Sequence, residues 1–147
     1  MSGIRAKNTR PEILVRKLLH SRGFRFRLHD ASLPGKPDVV LKKYRTVIQI
    51  QGCFWHGHDC ALFKLPGTRR DFWFDKIARN RANDVRNSVL LRNQQWRVLT
   101  IWECALRGKA RLDSERLGEK LAQWIAAQSH RPLKGEIRSK TVKTLKT

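Results

Sequence analysis

Acidic residues are scarce in this 147-residue chain: 12 Asp and Glu stand against 32 Lys and Arg, a formal net charge of +20. That imbalance disfavours a cationic partner and points to a polyanion, nucleic acid first, bound through released counterions. Cysteine is almost absent, with three residues. Three thiols do not make the disulfide framework of a small secreted domain, so a metal site is the better use for them. Long apolar runs are missing too. Nothing approaches the roughly 18 to 20 residues of a membrane-spanning helix, and Met1 is not followed by a signal-peptide pattern, so an intracellular, cytoplasmic protein without membrane attachment is expected.

Apolar residues make up 40% of the chain, enough for one domain with one sizeable core. Residues 1–130 are expected to form that domain, with residues 1–8 as a flexible basic arm and 131–147 as a basic, disordered tail. The tail carries six basic residues and one acid, a net of +5, which leaves +15 on the body. The positive field therefore belongs to the folded domain. Composition alone also allows a ribosomal or chromatin-like packing protein without chemistry.

Thr9 to Glu12 reads as a capping box with Pro11 in the first turn, and Leu14, Val15, Leu18 and Leu19 form a helical stripe that Gly23 closes. Phe24–Leu28 alternates as a strand, and Leu33-Pro-Gly-Lys-Pro37 is a turn. Asp38–Lys42 and Arg45–Ile50 read as a hairpin. Asp71–Asn93 is a long helix with Trp73, Ile77, Val85 and Val89 near one face, and Trp96–Trp102 is an apolar strand. Ser114 can cap a last helix carrying Leu117, Leu121, Trp124 and Ile125. This order predicts an α/β domain with helices packed on a mixed sheet.

The densest chemistry is Gly52-Cys-Phe-Trp-His-Gly-His-Asp-Cys60. A structural zinc wants four thiolate or imidazole ligands. Cys53, His58 and Cys60 supply three from one loop. Cys104 completes a Cys3His set if its strand pairs beside the one ending at Ile50. His56 is then free to act as a general base, or it is itself a ligand in place of Cys104. Asp38, directly after Pro37, suits a Mg2+ ion held against a phosphate, although a turn-capping role would also explain it. The usual nuclease strand after such a hairpin carries an acid-x-Lys pair, and Ile48-Gln-Ile-Gln51 has neither. A backbone carbonyl must then complete the metal shell, and His56 fits the vacant role of base. Asp84, seven residues beyond Ile77, needs a partner near the buried face: His56 or an arginine. Glu12 is already used by a capping box. Phe54, Trp55 and Trp73 are either core residues or wedges for base steps.

Ala31-Ser-Leu-Pro-Gly-Lys-Pro-Asp38, the Gly52–Cys60 segment and Trp96-Arg-Val-Leu…Trp102-Glu-Cys-Ala-Leu-Arg-Gly108 resemble the very-short-patch-repair mismatch endonucleases, over about Lys7 to Trp124. The resemblance implies a restriction-endonuclease-like fold with a structural zinc site, and nicking 5′ of the thymine in a T:G mismatch left by deaminated 5-methylcytosine. It implies double-stranded DNA as substrate, a functional link to a cytosine-5 methyltransferase, and a monomer acting at the bacterial nucleoid. By motif position it assigns Mg2+ to Asp38 and the Ile50 carbonyl, and catalysis to His56 with Asp84 as its partner and Glu12 in support. Zn2+ falls to Cys53, His58, Cys60 and Cys104, and DNA intercalation to Phe54, Trp55 and Trp73. Gln51 stands where the best-known family pattern has a histidine near the scissile phosphate. Glutamine there donates a hydrogen bond but no charge. The competing readings are a homing or restriction nuclease with the same core and a non-catalytic zinc DNA-binding module.

Overall fold

A computed structural model describes residues 9–60, 63–127 and 131–140. The expected arm of residues 1–8 and positions 141–147 of the expected tail lie outside the described residues. Helix α1 (Arg10–Ser21) starts where its sequence says it should: extended Thr9 accepts the Glu12 N–H on its hydroxyl at 3.4 Å, and Pro11 occupies the first turn. Such a cap contributes about 1 kcal/mol. Val15 and Leu19, one turn apart, are the residues it buries most completely.

Five strands follow as one mixed sheet in the order β1-β2-β3-β4-β5. They are β1 (Arg27–Leu28), β2 (Val39–Leu41), β3 (Thr46–Gln51), β4 (Arg97–Trp102) and β5 (Lys134–Ile137). The first three run antiparallel, with a short 3-10 turn at Lys42–Tyr44 closing the expected β2–β3 hairpin. The last two pairings are parallel. Parallel neighbours need crossovers. Helix α2 (Arg70–Asn93) makes the first, and α3 (Glu103–Leu106) with α4 (Ser114–Ile125) makes the second.

Period-two alternation splits the core between the two faces of the sheet. Val39, Leu41, Ile48, Leu99 and Ile101 pack with Val15 and Leu19 of α1 and with Leu117, Leu121 and Ile125 of α4. Val40, Val47 and Val98 point the other way, against Leu91 of α2 and Trp96. Among the described residues no helix is long and apolar enough to cross a membrane.

Four expectations need correction. The strand foreseen at Phe24–Leu28 shrinks to two residues, because Phe24 turns into the core and meets the edge of Tyr44. The last helix begins at Ser114 but is capped by Asp113, whose carboxylate accepts the Arg116 N–H at 2.8 Å. Val85 and Val89 do not face the core; they are 64% and 40% exposed. The buried line of α2 runs instead through Ile77 and Leu91, two heptads apart, with half-buried Asp84 midway between them.

The stretch after residue 130 is not irregular throughout, since Lys134–Ile137 pairs in parallel with Val98–Ile101. Only Ile137 of that strand is buried. Its approach is tied down by buried Arg97, which donates to the carbonyls of Trp124 (2.8 Å), Ile125 (3.1 Å) and Pro132 (3.1 Å) and lies over the Trp124 ring. Gly135 sits against the same ring, where a Cβ would come within 2.4 Å of Trp124 Nε1.

Candidate active site and metal cluster

The parallel β3–β4 register pairs Gln51 with Trp102. Cys53 and Cys104, each two residues past those ends, therefore meet beyond the C-terminal ends of these two inner strands. Sulfur and nitrogen atoms of Cys53, His58, Cys60 and Cys104 all lie within 4.8 Å of one another, and His56 is not part of that group. His58 Nδ1 is 3.5 Å from the Cys53 sulfur and 3.6 Å from that of Cys104. Tetrahedral bonds of zinc length set such ligand atoms about 3.6 Å apart, so the four side chains fit that ion.

The electrostatics agree. Burial pushes the Cys53 thiol well above the ordinary cysteine range, so a thiolate there needs a cation. Burial, helped by the Arg138 guanidinium, holds the His58 imidazole below its usual value and so neutral, as a ligand must be. The imidazole stacks on Trp102 at 3.9 Å. Backbone N–H groups of Cys104 and Ser139 donate to the sulfurs of Cys53 and Cys104, both at 3.3 Å.

Held by this cluster, the loop turns at Gly57, whose φ of +59° side chains rarely adopt; a β-carbon placed there would also lie 2.7 Å from Ile77 Cγ2. His56 Nδ1 hydrogen-bonds Asp84 Oδ2 of α2. Asn80 and Arg81 of the same helix donate to the carbonyls of Trp55 (2.7 Å) and Gly57 (3.5 Å). With Nδ1 engaged, the other ring nitrogen of His56 is free to accept a proton. His56 and Asp84 line a groove of about 710 Å³ together with Gln49, Gln51, Arg81 and Arg138. Gln51 is buried there and donates to Gln49 at 3.2 Å. A larger groove of about 960 Å³ between α4 and β5 is lined by none of the candidate catalytic, metal or DNA-binding residues.

A second cluster forms where α1 crosses the β1–β2 pair. Asp38 Oδ2 accepts the Ile50 N–H at 2.7 Å, fixing the carboxylate against the backbone of β3. Glu12 and His29 join it, with ligand atoms of all three within 4.8 Å. Burial pushes the Asp38 carboxyl up to about 6 against the pull of the Ile50 N–H bond, and neighbouring Glu12 adds to the rise. A divalent cation fits this donor set: two carboxylates and an imidazole converge where burial penalises bare negative charge.

On the outer side of the loop, the rings of Phe54, Trp55 and Trp73 form a triangle with centroids 5.1, 5.3 and 5.7 Å apart. Trp55 is 47% exposed, and Phe54 and Trp73 are half-buried. The default core role does not describe Trp55.

A sequence model of the DNA mismatch endonuclease Vsr family matches residues 1–62. The chain is similar to the DNA mismatch endonuclease Vsr of Escherichia coli (strain K12), 48% identical over 128 residues that cover 87% of this chain and 82% of that protein. The chain belongs to the Vsr family. It is also 49% identical over 114 residues to the type II nicking enzyme V.XorIIP of Xanthomonas oryzae pv. oryzae, covering 78% of this chain and 84% of that one. To the type II nicking enzyme V.NmeAIP of Neisseria meningitidis serogroup A it is 46% identical over 110 residues, covering 75% and 79%.

Two features of this Vsr-family site carry no motif in the sequence. His29 enters the Asp38 cluster because antiparallel pairing of Leu28 with Val39 sets it across from Asp38, and its backbone N–H donates to the Asp38 carbonyl at 3.1 Å. The only trace in the sequence is an imidazole nine residues before Asp38. The other is Arg138, past β5, which clamps Asp59 of the cysteine loop with 2.9 Å contacts to its carboxylate and its carbonyl. That residue lies in the stretch expected to be a loose tail.

Proposed function

We propose that this protein is a strand-specific DNA mismatch endonuclease that nicks 5′ of the thymine in a T:G pair and so starts very short patch repair. The fold is then a restriction-endonuclease-like one, with Zn2+ as a structural ion on Cys53, His58, Cys60 and Cys104. Asp38 and the Ile50 carbonyl are the residues that would hold catalytic Mg2+, with Glu12 in support. When bound there, the ion supplies Lewis-acid polarisation of the phosphate.

The observation that carries the reading is the His56–Asp84 pair on a loop held by the cysteine cluster. Asp84 fixes the tautomer in which Nδ1 keeps its proton, so the opposite nitrogen takes one from water. Deprotonated water then attacks phosphorus, and one phosphodiester P–O bond breaks. A carboxylate holding an imidazole in this way replaces the lysine of the usual nuclease strand, which Ile48–Gln51 does not supply. Gln51, in the same groove, contributes a neutral donor near the phosphate.

Phe54, Trp55 and Trp73 wedge into the duplex. Unstacking costs a few kcal/mol per step and costs least where pairing is already weak, so the wedge itself favours mismatches. The net charge of +20 draws the protein to double-stranded DNA. The protein works as a monomer at the bacterial nucleoid, alongside a cytosine-5 methyltransferase whose product deaminates to the mismatch.

The test compares T:G, C:G and T:A duplexes of one sequence, across a panel of flanking sequences, with Mg2+ present. Cutting confined to the thymine strand of T:G supports the reading. Double-strand cutting of paired DNA would make it a restriction or homing nuclease, and tight mismatch binding without cutting under any divalent ion would make it a binding module.

A further inference from the structure

His29 sits in the catalytic-ion cluster but belongs to none of the motifs that define the site. Its φ of +47° takes the chain out of β1 at the residue facing Asp38. Few residues other than glycine adopt that conformation, and histidine is among the more tolerant. The side chain is 15% exposed, with Nε2 3.2 Å from Glu12 Oε1 and 4.0 Å from Asp38 Oδ1.

A plain structural role would be a hydrogen bond that steadies Glu12. Arg16 also donates to the same Glu12 oxygen at 3.2 Å, so Glu12 does not depend on His29 to be held in place. The position of Nε2 between two carboxylates suits something else. Octahedral ligands on bonds of Mg2+ or Mn2+ length lie about 3 Å apart when adjacent and about 4.2 Å apart when opposed. The two distances from Nε2 fall near those values.

Resting on the ion site read above at Asp38, we propose that His29 Nε2 is a ligand to that ion, beside Asp38, Glu12 and the Ile50 carbonyl. One nitrogen among the oxygens shifts the site's preference from Mg2+ towards Mn2+. Mg2+ takes oxygen ligands and keeps its waters, whereas imidazole is a normal ligand for first-row transition ions. The enzyme is then selective for the metal through a residue outside the motifs that carry its other site residues, and Mn2+ is its tighter-binding ion.

The test uses the full, zinc-loaded chain with Mn2+ alone as probe, titrated by electron paramagnetic resonance, and Mg2+ measured by competition. In His29→Gln the amide keeps a hydrogen-bond donor for Glu12 and offers an oxygen to Mg2+, but no imidazole nitrogen. Mn2+ affinity is expected to fall on the order of tenfold or more, with Mg2+ affinity changing far less. The spin echo of bound Mn2+ should show 14N modulation in the wild type that vanishes in His29→Gln. Wild-type Mn2+ without that modulation, modulation that survives in His29→Gln, or equal losses for both ions would overturn the inference. Asp38→Asn separates the two levels. If it abolishes Mn2+ binding while His29→Gln changes nothing, only the role of His29 falls. If it leaves Mn2+ binding intact, the ion site at Asp38 falls as well.

Discussion

Replacing Asp38 with Asn should stabilise the protein when Mg2+ is absent, and the gain should grow with pH. Asp38 is pushed up to about 6 from an ordinary 3.8, with burial as the first cause. For a carboxyl whose folded value is raised, the folded state holds its proton more tightly than the unfolded state. Below pH 3.8 both states are protonated and the residue costs nothing. Between 3.8 and 6 the unfolded chain ionises first, and stability drains away. Above 6 the full penalty stands. A shift of about two units corresponds to about 3 kcal/mol. Asparagine keeps an oxygen to accept the Ile50 N–H and cannot ionise, so it avoids that penalty. Urea unfolding in buffer free of Mg2+, without chelator so that zinc stays, should show wild type and Asp38→Asn within about 0.5 kcal/mol of each other near pH 4. At pH 8 they should differ by up to about 3 kcal/mol, or roughly 6 to 12 °C in Tm for a chain this long. Titrating groups remote from Asp38 cancel in the difference; Glu12 and His29, which interact with it, do not. A gap that is flat across pH, or that has the opposite sign at pH 8, would refute the argument that Asp38 is held at a cost for the sake of a cation.

The cysteine cluster makes a second prediction. Cys104→Ser should lower Zn2+ affinity by more than the roughly 10- to 100-fold that changes around a metal's ligands cost, read as metal retained after dialysis. Unchanged zinc content would remove Cys104 from the ligand set. Gly57→Ala combines a positive φ with a 2.7 Å clash against Ile77, so it should cost about 1 to 3 kcal/mol in chemical denaturation; a neutral result would mean the loop turns elsewhere. Trp55→Ala should change stability by less than about 1 kcal/mol, because the ring is half exposed. It should nonetheless reduce T:G over T:A discrimination in nicking assays on the order of tenfold, the worth of a lost wedge.

Much of this molecule could be read from its residues, and the failures share a cause. Thr9, Pro11 and the Val15–Leu19 spacing define α1 locally, since capping and helical periodicity need no distant partner. The meeting of Cys104 with the Cys53 loop was conditional on one strand pairing, and the Gln51–Trp102 register supplies it. Strand β5 is illegible because its stability is not its own: Lys134–Ile137 holds one buried side chain and depends on pairing with Val98–Ile101, far earlier in the chain. The face of α2 was misjudged for a related reason. Val85 and Val89 look like core residues, but α2 covers only part of its side of the sheet and leaves that flank open to the groove of His56 and Asp84. His29 went unnoticed because a register and a left-handed backbone turn put it beside Asp38, and neither is written in residue types.

The central claim is that His56, oriented by Asp84, takes the proton from the attacking water. It is tested most directly by single-turnover nicking of a saturating T:G duplex with His56→Ala, zinc content and mismatch affinity being checked in parallel. The rate is expected to fall about 10²- to 10⁴-fold with zinc and binding retained. A variant that still nicks at the wild-type rate would contradict it.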